Sequence, residues 1–116
     1  MSAEGFRLVV VESPYAGNVT YHERYARACI ADCFRRGEAP IASHLLYTQP
    51  GVLDDRVPHE RARGIAAGLA WATFAAATVV YHDLGVSRGM RTGIDHAQRH
   101  NRPVEWRKLG GEWRLP

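Results

Sequence analysis

Asp83, Gly85, Ser87 and Gly89 fall at every second position just after the apolar run Val79-Val80-Tyr81. An acid and small residues at the point where a strand gives way to a helix suit the handling of a nucleotide. Asp83, past a strand end, can hydrogen-bond a ribose hydroxyl or act as a base, and can equally cap a turn. Ser87 with the backbone N–H groups of Arg88 and Gly89 forms a candidate cradle for phosphate or carboxylate, because a helix N-terminus offers unpaired donors and a positive dipole end. The same Ser87 is also a good plain N-cap for a helix running through Met90, Ile94 and Ala97.

Other candidates come from the first loop and the second helix. Ser13-Pro14-Tyr15-Ala16-Gly17 follows an apolar run; Tyr15 there can stack on a base while Ala16 and Gly17 let backbone approach a ligand, although a loop tyrosine is more often a packing residue. His44 and Tyr47 follow a second short run, and the expected topology puts them on the same sheet edge as Tyr15 and Asp83. Glu60 and Arg61, close to Asp54 and Asp55, open the second helix, where an acid also favours the helix dipole. His96 and His100 share a helix face at i, i+4, but without a third ligand in register no metal is expected, and no cofactor is. Asp83 and Glu60 are the candidate catalytic acids; Ser13, Tyr15, Ala16, Gly17, His44, Tyr47, Asp83, Gly85, Ser87, Arg88, Gly89 and Met90 are the candidate binding residues.

These groups need elements to hold them. Leu8-Val9-Val10-Val11 is a continuous β-branched run suited to the middle of a parallel sheet covered on both faces. Thr20-x-x-Glu23 has capping-box spacing, so a helix is predicted from about Val19 to Arg36, stopped by Gly37. Its core stripe is Tyr25, Ala28 or Cys29, and Cys33. A short strand is predicted over Pro40–His44, with Leu45–Thr48 carrying the chain over the top of the sheet. Pro50-Gly51 turns a loop, and Pro58 suits the first turn of a helix through Ile65, Leu69 and Ala72. Strand 78–82, a helix from Arg88 to about His100 and strand 102–106 complete an alternation that predicts a parallel sheet wrapped on both sides. Residues 112–115 are expected to add an edge strand or a docking tail.

Composition limits the classes further. The 116 residues make one domain, 1–116, large enough for one core. The net charge of +3 is mild and its arginines are interleaved with 12 acids, so no nucleic-acid arm is present and nucleic acid is not an expected partner. Cys29 and Cys33 lie on one helix face as small hydrophobes, which with the lack of a signal peptide at Met1–Phe6 points to a cytoplasmic protein. The uncharged stretch 65–81 is shorter than the ~20 residues of a span, so no membrane is expected.

Taken together, Ser13-Pro14-Tyr15-Ala16-Gly17, Asp83-x-Gly85-x-Ser87-x-Gly89 and Asn101-Arg102-Pro103-Val104 resemble the nucleoside 2-deoxyribosyltransferase-like superfamily, with small, often phage-encoded members the closer likeness. The resemblance covers most of the chain in order. It implies a single flavodoxin- or Rossmann-like three-layer α/β domain, a mostly parallel sheet of four to five strands with helices on both faces, a homo-oligomer, and a nucleoside or nucleotide held over the strand ends. In enzymes of that superfamily a Glu attacks the anomeric carbon of the sugar, as a carboxylate does in retaining glycosidases. Laying Ser87–Thr92 on the pattern puts Gly93 at that Glu. The expectation is therefore a binding protein, or an N-glycosidic hydrolase or transferase in which Asp83, Glu60 or Asp95 has taken over.

Overall fold

The computed structural model describes residues 5–111 and 113. Strands β1 (Arg7–Glu12), β2 (Glu38–Ile41), β3 (Ala77–Tyr81) and β4 (Val104–Arg107) form one sheet in the order β2-β1-β3-β4, and every pairing is parallel. The helices are α1 (Val19–Arg35), α2 (Ser43–Leu46), α3 (Pro58–Ala72) and α4 (Arg88–Arg99). This is a flavodoxin- or Rossmann-like α/β fold, as expected.

The strand order fixes where the helices go. From β1 the chain passes through α1 to β2 on one side, then returns over β1 through α3 to reach β3 on the other. Right-handed crossovers in opposite directions must lie on opposite faces. Alternation along the strands shows both faces in use. Val9, Val11, Val79 and Tyr81 pack with Tyr25, Cys29 and Cys33 of α1, whereas Val80 packs with Met90 and Ile94 of α4. All five residues of β3 are buried, which is why its sequence Ala-Thr-Val-Val-Tyr is apolar without alternation.

Local chemistry sets the ends. Asn18, and not the Thr20 to Glu23 capping box, caps α1: its Oδ1 accepts the Tyr21 amide at 3.3 Å. The box fails because the helix already starts at Val19, which leaves Thr20 inside the first turn. Gly37 takes φ +78°, a left-handed turn that lets the chain leave α1 for β2. Pro40 sits in β2, an edge strand with only one partner, where the missing N–H costs least. The predicted strand 40–44 is thus shifted: pairing ends at Ile41, and Ser43–Leu46 coil into α2. Gly68 is what lets α2 approach α3, since a methyl group there would overlap the Ser43 side chain. Pro58 opens α3 as predicted.

The tail returns over the α1 face. Trp113 packs edge-on against Tyr25 at 4.8 Å between ring centroids and against Tyr21 at 5.3 Å. The rest of the expected edge strand at 112–115 lies outside the described residues.

Candidate functional site

The two crossovers part at the carboxyl ends of β1 and β3, and in open α/β sheets a ligand crevice lies at such a switch point. Here the crevice is on the α3/α4 face. Val10 and Glu12 of β1 and Thr78 of β3 form its floor, α3 supplies Gly64, Ile65, Gly68 and Leu69, and α4 supplies Met90, Thr92 and Gly93. The inner chamber measures about 190 Å³. It adjoins a wider surface hollow of about 940 Å³ under loop 47–57, and Tyr15, Ala16, Thr48, Leu53, Asp55, Glu60 and Arg61 line both.

Glu12 is the most unusual group in the chamber. It is the last residue of β1 and shares a face with Val10, so its side chain leaves the sheet towards α4. There it lies against Gly93: a methyl group at that position would overlap the Glu12 carboxyl. Among the described residues it makes no hydrogen bond, and burial pushes it up to about 8 despite the nearby Arg102 cation. Arg102 is itself committed elsewhere, its Nε donating to Thr78 Oγ1 at 2.9 Å and a terminal nitrogen meeting His96 Nδ1 at 2.9 Å.

Beside Glu12, Ser13 Oγ and His44 Nε2 are 2.7 Å apart. Burial lowers His44 to about 4, so the imidazole is neutral near pH 7. Thr48 donates to the His44 carbonyl at 2.6 Å and fixes the turn that carries Tyr47. Glu60 accepts the Asp54 amide at 3.1 Å, and Arg61 donates to Asp55 at 2.7 Å, so both tie loop 47–57 to α3. At the other wall Ser87 accepts the Met90 amide at 3.3 Å and its own N–H meets the Met90 sulfur at 3.3 Å. Its hydroxyl is therefore an N-cap, and what remains for a ligand is the backbone of Arg88 and Gly89.

Most of the candidates converge. Ser13, Tyr15, Ala16, His44, Tyr47, Glu60, Ser87, Arg88, Gly89 and Met90 all line the chamber, and Gly17 lines the outer hollow. Asp83 and Gly85 line neither. Asp83 reaches the same sheet edge but turns to the α1 face. There it accepts from the Tyr25 hydroxyl at 2.5 Å and from the amides of Leu109 and Gly110 at 2.9 and 3.0 Å. Burial raises its carboxyl, yet these donors outweigh that and hold it below the usual carboxylate range. Asp95 is exposed on α4 and lines neither hollow.

Glu12 and Arg102 were missing from the sequence-derived set. A usable signal for Glu12 was present: in a strand of period 2 it shares the face of Val10, and an acid closing a buried apolar run is rare. Arg102 gave no such signal, because its burial depends on the fold of Asn101, which turns the chain at φ 55°.

Among the described residues no cluster of three His, Cys, Asp or Glu side chains could hold a metal, and no helix is long and apolar enough to cross a membrane. The strand order and the crevice at its switch point define an α/β domain of the doubly wound class. The chain belongs to a family described as a domain of unknown function, DUF7768, whose model matches residues 7–107. No curated protein and no solved structure matches it.

Proposed function

We propose that this protein binds a nucleoside or nucleotide, with the ring in the inner chamber and the sugar or phosphate in the outer hollow. The observation that carries the reading is the paired cavity at the β1/β3 switch point. Its inner part is apolar and polar by turns and reaches the exposed Arg88 at the start of α4, and Arg61 lines both parts. Apolar walls suit a flat ring, while guanidinium groups and free helix N–H groups suit an anion. Binding without turnover is the first reading, since Gly93 stands where the resemblance puts the nucleophilic Glu.

One observation favours turnover as a second reading. The Glu12 carboxyl fills the space beside Gly93, so an acid is supplied from β1 at the place where α4 lacks one. Of the three acids named as replacements for the nucleophile, Asp83, Glu60 and Asp95, only Glu60 lines the chamber. The exposed Trp71 in the last turn of α3 and Phe74 just beyond it support a homo-oligomer, and the two free thiols Cys29 and Cys33 support a cytoplasmic protein.

A thermal-shift panel of nucleosides, nucleoside mono- to triphosphates and dinucleotides tests the reading, with chromatography of each hit. A ligand of the native state raises Tm by mass action. A hit recovered intact supports binding, and a hit recovered as free base and sugar supports turnover. No shift with any compound overturns both.

A further inference from the structure

The binding reading leaves the base open, and the environment of Glu12 narrows it. Most buried carboxyls are held by a cation or by backbone amides, as Asp83 and Glu38 are here. Among the described residues Glu12 has neither a hydrogen bond nor an ion pair: the nearby Arg102 cation acts on it only through charge and makes its own bonds to Thr78 and His96. The carboxyl is also confined. Gly93 gives it room on α4, and the alternating direction of β1 keeps it on the chamber side. A polar group placed in a chamber without a partner of its own is complementary to a group brought by a ligand.

Resting on the binding reading above, we infer that Glu12 reads the ligand's ring. It pairs with an edge presenting a ring-nitrogen acceptor beside an amino donor, the amidine edge of adenine or cytosine, in preference to the two-donor edge of guanine. A neutral carboxylic acid donates from O–H and accepts at C=O, which matches an amidine edge atom for atom. An ionised carboxylate accepts twice and matches guanine instead. Burial, which pushes Glu12 up to about 8, keeps the acid neutral at pH 7.

The other charged groups lining the chamber leave this assignment in place. His44 of α2 is neutral, and the Arg102 cation lowers the Glu12 carboxyl by less than burial raises it. Asp55 of loop 47–57 pairs with Arg61 of α3, and Glu60 of α3 accepts the Asp54 amide. Arg88 stands at the exposed start of α4.

The test is titration calorimetry of adenosine, cytidine and guanosine against the wild type, Glu12→Gln and Glu12→Ala, at about pH 6.5 and about pH 9.5, on either side of the Glu12 midpoint. Glutamine keeps one donor and one acceptor and cannot ionise. The wild type should bind adenosine or cytidine about tenfold or more tighter than guanosine at the lower pH and lose that margin at the higher. Glu12→Gln should keep the margin at both, and Glu12→Ala should lose it at both. A wild type that binds nucleosides with no such margin, or an alanine variant that keeps it, overturns the inference and leaves the binding reading standing. A wild type that binds no nucleoside or nucleotide overturns the binding reading, and the inference with it.

Discussion

The two faces of the sheet end in the same way and are finished differently. On each, an acid stands at the carboxyl edge: Asp83 towards α1 and Glu12 towards α3 and α4. The α1 face is closed. Asp83 is held by Tyr25 and two amides, and further along that face Arg107 forms a two-pronged bond to Glu38 at 2.7 Å while also meeting the Tyr81 hydroxyl at 3.1 Å. The α3/α4 face is hollow, and among the described residues its edge acid, Glu12, makes no hydrogen bond. A fold that ties the acid at the edge of one face to several donors and leaves the acid at the edge of the other without a hydrogen bond among the described residues separates a supporting face from a binding face.

The largest break in this comparison comes from the closed face. Arg107→Met leaves the buried Glu38 carboxylate with only its longer contact to Arg7 at 3.4 Å, and should cost about 3 kcal/mol of unfolding free energy in a denaturant titration. The Arg107 and Glu38 side chains are only 6% and 5% exposed, so water cannot replace the bond. Asp83→Asn comes next. Losing charge-assisted bonds to Tyr25 and the tail should cost about 2 kcal/mol while leaving nucleotide affinity nearly unchanged. A variant of normal stability that no longer binds nucleotide would undo the division of faces.

Effects on the hollow face are smaller and depend on pH. Glu12 is held near 8 in the folded chain against an ordinary 4.5, so the native state keeps its proton after the unfolded chain has released its own. Stability should therefore fall as pH rises from about 4.5 to about 8 and level off above. Glu12→Gln removes this slope and should gain on the order of 2 kcal/mol above pH 8, after allowance for solvent in the chamber, read as Tm against pH. Gly93→Ala should be the mildest for stability, about 1 kcal/mol, because the group it displaces is the movable end of Glu12. Its effect on ligand binding should equal that of removing Glu12.

Much of the architecture could be read locally. The β-branched runs of β1 and β3, Gly37 after α1, Pro58 at α3 and Ser87 at α4 each state a boundary through their own backbone or hydrogen-bonding chemistry. So does most of the candidate site, since loops at the carboxyl ends of parallel strands must gather there. What local chemistry left out was parity. Asp83 and Glu12 both sit just past or at a strand end, and only the register of alternating side chains sends one to α1 and the other to α4. The Tyr25 hydroxyl that occupies Asp83 lies 58 positions away in sequence, and the Gly93 that makes room for Glu12 belongs to an element formed much later. Contacts of that range have no local signature. The shift of β2 had a local cause read too generously: Pro40 allowed a strand, but Ser43 began a helical turn.

The strand order also has a consequence for how the chain is born. β1 emerges from synthesis first yet ends at the centre, with Val9 opposite Ala77 of β3. Its adhesive Leu-Val-Val-Val run must wait, half-satisfied by β2 alone, until Ala77–Tyr81 has been made. Such distant pairing slows folding and lengthens the exposure of an apolar edge. The nascent chain is thus most vulnerable to aggregation in the interval between the appearance of β2 and that of β3, and the site can form only after that interval closes.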